Sequence, residues 1–133
     1  MILGKRSRYA IIYRPQHFVG HEVPIGLARM LIYGDDTGAP RYRRAEVIAA
    51  AKKSLKASET LDGEGGYAVY GLLEDSANAT GENLVPLGLT QGAVTTREIP
   101  EDGLITYDNV RIPGSAALDV RRLQDRLYPL TSE

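Results

Sequence analysis

The sequence predicts a mainly β core flanked by an N-terminal and a C-terminal helix. Three observations lead to this prediction. A pattern in residues 53–61 returns in residues 97–105. Glycines and prolines divide the apolar residues of the central region into pieces of strand length. Helical patterns are confined to the two ends of the chain.

The repeat defines the predicted core. The matched positions are a base and two branched aliphatic residues: Lys53 with Arg97, Leu55 with Ile99, and Leu61 with Ile105. Small residues precede both copies at period two, as a pleated strand requires: Ala49 and Ala51, then Ala93 and Thr95. The alanines near residue 50 favour helix by propensity, but the second copy favours strand. Each copy is therefore predicted to be a strand, a tight turn and a short second strand.

The N-terminal segment, residues 1–43, is predicted to hold a helix and a junction. Residues 9–13 are a short apolar run typical of a strand or the end of one. A helix is predicted over residues 23–33, with Pro24 in its first turn and Gly34 after its end. Turn residues fill positions 35–40 and separate this segment from the repeat.

The core is predicted to extend over residues 44–113, and the C-terminal segment over 114–133. Residues 67–73 have the aromatic and β-branched content of a strand, whereas residues 76–83 are small and polar and are predicted to form an exposed loop. Ser115 is predicted to cap a C-terminal amphipathic helix. Its apolar side would consist of Ala116, Val120, Leu123 and Leu127.

Composition excludes several classes of function. The net charge is −1, with acids and bases interspersed, so neither nucleic acid nor an anionic membrane is an expected partner. The chain has no cysteine, which excludes disulfides, thiolate metal sites and a thiol nucleophile. No signal-peptide pattern or membrane-length apolar run occurs, so a cytoplasmic location is expected.

Two local patterns imitate known site motifs. Residues 63–68 match Gly-x-Gly-x-x-Ala, but a dinucleotide fingerprint follows a strand and opens a helix, while this one precedes strand residues. A turn that needs positive φ explains the glycines better. His17 and His21 have the spacing of helical metal ligands, but prolines and a glycine bracket the pair and argue against a continuous helix there. No metal or cofactor is therefore expected in this chain.

The repeat resembles the SAF domain, a β-clip fold shared by sialic acid synthases, antifreeze-like proteins, altronate dehydratases and flagellar assembly proteins. The resemblance rests on residues 52–63 and 96–110 and covers roughly residues 44–112. Three further stretches are similar to the C-terminal part of homoserine-dehydrogenase-like NAD(P)-dependent oxidoreductases, including the deoxyxylulose-phosphate-reductoisomerase-like proteins. They are Tyr13-Arg-Pro-x-His17-x-x-Gly20-x-Glu22, Gly38-Ala-Pro40 and Leu61-Asp-Gly-Glu-Gly-Gly-Tyr67.

This resemblance implies a β-clip core in a C-terminal module whose parent enzyme has an upstream Rossmann catalytic domain that binds NAD(P). The chain would then be a domain fragment, not catalytic alone, with an accessory, substrate-closing or interface role. A homo-oligomer is compatible with that role. The alternative is a SAF module that binds a small sugar acid or other anion and acts with a separate enzyme.

Six residues are candidates for a site: Arg14, His17, Glu22, Lys52, Tyr67 and Tyr70. In the family the first three lie where the catalytic part joins the SAF part, where an arginine could hold a phosphate or carboxylate and a histidine could transfer a proton. Structural ion pairing of the arginine is the alternative. The lysine and the two tyrosines could form a face for a sugar or acid ligand, with core and rim packing as the alternative.

Overall fold

The computed structural model describes residues 2–3, 10–11, 13, 15, 18–36, 38 and 42–128. Within these ranges the helices are Val19–Tyr33 (α1), Ser76–Gly81 (α2) and Ala116–Leu127 (α3), with a 3₁₀ helix at Leu87–Leu89. The strands are Ile2–Leu3 (β1), Ala10–Ile11 (β2), Ala45–Ala51 (β3), Val69–Asp75 (β4), Val94–Thr95 (β5) and Val110–Arg111 (β6). They pair as three antiparallel two-stranded sheets, β1–β2, β3–β4 and β5–β6.

The fold class is mixed α/β rather than mainly β. One reason is that β5 and β6 are two residues long and much of the remaining pairing consists of isolated bridges. The other is α2, which occupies most of the predicted exposed loop at residues 76–83. The loop prediction is wrong because the Asp75 carboxylate accepts a hydrogen bond from the Ala77 N–H (2.8 Å) and starts a helix that buries Ser76 and Ala79.

The chain divides into two units, Met1–Pro40 and Arg41–Glu133. In the first unit, β1 pairs with β2, which lies within the predicted strand at residues 9–13. Helix α1 begins four residues earlier than predicted and includes His21. His17 precedes the Phe18 N-cap and lies outside the described residues, so the expectation that no continuous helix joins His17 and His21 stays a prediction. The Phe18 carbonyl accepts hydrogen bonds from the His21 and Glu22 N–H groups, and Pro24 follows in the second turn, where a proline removes one backbone donor without ending the helix. Gly34 ends α1 with φ +63°, as predicted.

In the second unit, the predicted repeat is confirmed by the backbone hydrogen bonds. Leu55 and Ile99 are equivalent positions, and each donates its N–H to the other's carbonyl, at 2.8 and 3.0 Å. Two further pairs of backbone bonds are equivalent. The Asp102 N–H donates to the Ala51 carbonyl as the Ser58 N–H donates to the Thr95 carbonyl, both at 2.9 Å. The Ile105 N–H donates to the Ala49 carbonyl (2.9 Å) as the Leu61 N–H donates to the Ala93 carbonyl (2.8 Å). Each of these bonds joins one copy to the other, so the copies pair around an approximate two-fold axis at Leu55 and Ile99.

The same two-fold relation holds for the backbone angles and the core. Ser58 and Asp102 are equivalent, and both have positive φ, +65° and +61°. The buried repeat positions belong to one hydrophobic cluster: Ala49, Ala51, Leu55 and Leu61 from the first copy, with Ala93, Ile99 and Ile105 from the second. Helix α3 contributes Leu118 to this cluster.

The two copies differ in their hairpins. In the first, β3 and β4 pair over seven residues, from Ala51 opposite Val69 to Ala45 opposite Asp75. In the second, β5 and β6 pair over two residues, and the turn between them is shorter than the first copy's. The predicted strand assignment of residues 47–51 is confirmed.

Helix α3 has the predicted cap, since the Ser115 hydroxyl accepts from the Leu118 N–H at 3.2 Å. Its orientation is unexpected. The apolar side that includes Val120, Leu123 and Leu127 is exposed. The helix packs on the rest of the second unit through Leu118 and the largely buried Arg121.

Candidate functional site

The predicted N-terminal site falls mostly outside the described residues. Arg14 and His17 are not among them. Glu22 lies in the first turn of α1 and is half-buried. The hypothesis that these three residues form a site therefore stays a prediction.

Lys52, Tyr67 and Tyr70 all lie on the β3–β4 hairpin, but they have different contacts. The Lys52 Nζ donates to the Gly66 carbonyl at 2.5 Å. Tyr67 is 87 % exposed, so the packing alternative is wrong for this ring. The Tyr70 hydroxyl donates to Asp102 Oδ1 at 2.9 Å. This hydrogen bond is the main cause of a raised Tyr70 pKa, and partial burial is the second cause. The described contacts therefore tie Lys52 and Tyr70 to the hairpin and to the second copy.

The glycine-rich segment is a turn held by a carboxylate. Gly63 and Gly65 both have φ +76°, as predicted for a left-handed turn. Asp62 accepts hydrogen bonds from the N–H groups of Tyr67 (2.5 Å) and Ala68 (2.9 Å), and these two bonds lower the pKa of Asp62. The segment leads into strand β4 rather than a helix, which is the wrong context for a dinucleotide fingerprint.

A charged cavity of about 350 Å³ in the second unit was not predicted from the sequence. Six of the eight residues that line it have polar side chains. Its lining residues are Arg43, Ala79, Thr80, Asn83, Leu84, Tyr107, Arg121 and Asp125. The cavity thus takes residues from the entry to β3, from α2 and the residues after it, from the second copy and from α3.

Four charged residues form a network at the cavity, and each arginine contacts both acids. Arg43 Nη1 lies 2.6 Å from Asp125 Oδ1, and its Nη2 lies 3.4 Å from Glu46 Oε2. Arg121 Nε lies 2.9 Å from the same Asp125 oxygen, and its Nη2 lies 2.8 Å from Glu46 Oε2. The formal charge of the four residues is zero.

Burial distinguishes one member of this network from the other three. The side chains of Arg43, Arg121 and Glu46 are 12 %, 14 % and 15 % exposed, whereas Asp125 is 43 % exposed. Burial is the largest influence on the Arg121 pKa and lowers it, but Glu46 and Asp125 together outweigh burial and raise that pKa. Arg121 is therefore cationic at any physiological pH.

Two neutral groups complete the polar lining. The Thr80 hydroxyl accepts a hydrogen bond from Arg43 Nη2 at 3.2 Å. Tyr107 is partly buried, and burial raises its pKa, so its hydroxyl stays protonated at neutral pH and can donate. The cavity can thus offer cationic and neutral hydrogen-bond donors together.

The sequence contains part of the signal for this cavity. Arg121 and Asp125 are four apart on a predicted helix, a spacing that places them side by side. Nothing in the spacing shows that this side of α3, rather than its apolar side, faces the core.

The first unit presents an unusual helix surface, which we name the α1 apolar surface. It consists of the large apolar side chains of α1 that are exposed within the described residues: Val23, Ile25, Leu27, Met30, Leu31, Ile32 and Tyr33. The helix is 15 residues long. None of the helices in the described ranges is long and apolar enough to cross a membrane.

Among the described residues, no group of three or more histidines and acids is placed to hold a metal ion. In comparisons with known proteins, the sequence matched no protein-family model and no curated protein.

Proposed function

We propose that the chain is a SAF-type β-clip module of a homoserine-dehydrogenase-like NAD(P)-dependent oxidoreductase. In this role it would act as an interface or substrate-closing domain, while an upstream Rossmann domain holds the cofactor. The sequence similarity of both repeat copies to the SAF domain supports the assignment. The mutual pairing of the copies around Leu55 and Ile99 supports a fold built from two similar halves.

The α1 apolar surface is the observation that carries the interface role. A helix whose large side chains are apolar on most sides is normally buried against other structure. Contiguous exposed apolar surface of this kind marks an interaction site. With 15 residues, α1 is shorter than the roughly 20 residues that a membrane-spanning helix needs. A protein surface, such as that of a catalytic domain, is the covering that fits these properties.

The test uses the native gene product that contains this chain, purified from its source organism. We expect an NAD(P)H-binding polypeptide with a domain upstream of this one, and we expect the isolated chain to show no saturable binding of NADH or NADPH by calorimetry. Micromolar binding by the isolated chain would contradict the proposal, as would a native product that neither contains nor binds a nucleotide-binding domain.

A matched pair of variants tests the interface itself. Leu31 on α1 is 79 % exposed and Leu73 on β4 is 76 % exposed, so Leu31→Asp and Leu73→Asp change equally exposed leucines. In the native product, Leu31→Asp should lower NAD(P)H-linked turnover about tenfold or more, because a charge in an apolar interface is costly. Leu73→Asp should change turnover by less than about twofold. Equal effects of the two substitutions on turnover would contradict the proposal that the α1 apolar surface is the interface.

A second candidate function is binding of a small sugar acid or other anion. The specific observation that favours it is the pair of largely buried arginines at the charged cavity.

A further inference from the structure

We infer that the charged cavity is an anion site in which the Asp125 carboxylate holds the place of a ligand's carboxylate or phosphate. The inference rests on the anion-binding function named above and gives that function a location, a ligand class and a competing group within the chain.

The first step is the convergence of donors on one oxygen. Arg43 Nη1 and Arg121 Nε point at the same atom, Asp125 Oδ1, at 2.6 and 2.9 Å. Charge-assisted bonds from two guanidinium groups to one anionic oxygen are the arrangement that proteins use to hold carboxylates and phosphates. The other Asp125 oxygen makes no hydrogen bond within the described residues. The position of Oδ1 therefore marks where a ligand oxygen would sit.

The second step is that Asp125 is the member of the network best able to leave. Its side chain is 43 % exposed, about three times as much as either arginine, so it can return to water at small cost. The two arginines stay in place because Glu46 contacts both of them and Thr80 binds Arg43. When Asp125 leaves, the remaining three charged groups carry a formal charge of +1 in a poorly solvated position. A buried cation without its partner is unfavourable, so an incoming anion is favoured at that point.

The third step concerns the shape and size of the ligand. The cationic end of the cavity is formed by the side chains of Arg43 and Arg121. Tyr107 and Thr80 contribute hydroxyl groups to the lining at the rim, and Asn83 contributes a side-chain amide whose nitrogen donates one hydrogen bond to Asp108 (3.1 Å). A volume of about 350 Å³ lies at the small end of ligand sites. The ligand class is therefore a small hydroxylated carboxylate or phosphate rather than a dinucleotide.

The competing explanation is that the network only attaches α3 to strand β3. Both explanations predict that loss of Asp125 lowers stability, so stability alone cannot separate them. They differ in what loss of Asp125 does to anion binding. If Asp125 competes with the ligand, its removal frees the two arginines and strengthens anion binding. If Asp125 only attaches α3 to β3, its removal does not strengthen anion binding.

The experiment compares Asp125→Asn with Asp119→Asn by calorimetry at fixed ionic strength in chloride. Both substitutions remove one negative charge from α3, but Asp119 lies at 3.9 Å from Arg122 on the exposed side of the helix and outside the cavity lining. The probes are inorganic phosphate and gluconate, with glucose as the uncharged control. We expect Asp125→Asn to tighten binding of at least one anion by about tenfold or more, the factor set by loss of one charge-assisted competing bond. Asp119→Asn should stay within about twofold of the parent chain.

Thermal unfolding supplies a second readout if Asp125→Asn is less stable than the parent. The same anion should raise its melting temperature and should not raise that of Asp119→Asn equally. Tyr107→Phe, which removes only a hydroxyl, separates the two ligand sources: it should weaken gluconate binding more than phosphate binding if hydroxyls of the ligand contact the rim.

Each outcome decides the inference. Equal anion affinity of Asp125→Asn and Asp119→Asn, with binding present in both, would place the anion elsewhere and leave the anion-binding function intact. Absence of saturable binding by the parent and both variants would overturn the site and that function together.

Discussion

In the first copy of the repeat, the turn is held by Asp62, whose carboxylate accepts two backbone hydrogen bonds at the surface. In the second copy, the corresponding region is held by Asn109, which is 6 % exposed, accepts from the Thr106 N–H (2.8 Å) and donates to the Leu104 carbonyl (2.9 Å). The backbone bonds between the copies are nevertheless the same. The pairing of the copies is thus set by the shared apolar positions, while each turn is stabilised by its own polar side chain.

The largest expected effect is at the pair that both copies share. Leu55→Ala and Ile99→Ala each truncate a buried side chain on the approximate two-fold axis, and each should lower the free energy of unfolding by about 2–5 kcal/mol. Urea unfolding measures both, with Leu73→Ala at an exposed position as the control. If one of the pair costs several times as much as the other, the two copies are not energetically equivalent.

A smaller effect is expected at the two turn residues, where the copies differ. Asn109→Ala leaves a backbone donor and acceptor without partners in a buried position and should cost about 3 kcal/mol. Asp62→Ala should cost less, because its turn is exposed and water can replace the carboxylate.

Lowering the pH should affect the stabilising contributions of Asp62 and Asn109 differently. The hydrogen bonds from Tyr67 and Ala68 lower the folded-state pKa of Asp62 below its usual value of 3.8. The contribution of Asp62 is therefore complete above about pH 4 and is lost as the pH falls through the lowered pKa. The stability difference between the parent and Asp62→Ala should shrink on going from pH 7 toward pH 2, whereas the difference for Asn109→Ala should persist. A constant difference for Asp62→Ala would show that its carboxylate does not hold the turn.

The smallest effects are expected at the glycines of the first turn, which the second copy lacks. A Cβ at Gly63 would lie 3.1 Å from the Gln91 backbone in addition to its positive φ, whereas a Cβ at Gly65 would meet no atom within 4 Å. Gly63→Ala should therefore cost about 2 kcal/mol and Gly65→Ala about 1 kcal/mol, as judged by thermal unfolding. Equal melting temperatures of both variants and the parent would contradict the assignment of a left-handed turn.

The repeat, the strand at residues 47–51, the glycine turn and the Ser115 cap were predictable because each depends on local pattern. Helix α2 was missed because its small polar residues are typical of a loop, and the effect of the Asp75 cap depends on what Ser76 and Ala79 can pack against. The charged cavity was missed for a related reason. The burial of Leu118 fixes the rotation of α3 and so turns Arg121 inward, and no helical periodicity contains that information.

The mutual pairing of the copies also has a kinetic consequence. Because Leu55 bonds to Ile99 and the other equivalent bonds likewise cross between copies, the chain must close a loop of roughly 30 residues or more before any of these bonds forms. Neither copy can gain this stabilisation alone. Non-local contacts of this kind slow folding, and we expect the second unit to fold in milliseconds to seconds rather than in the microseconds typical of small helical domains.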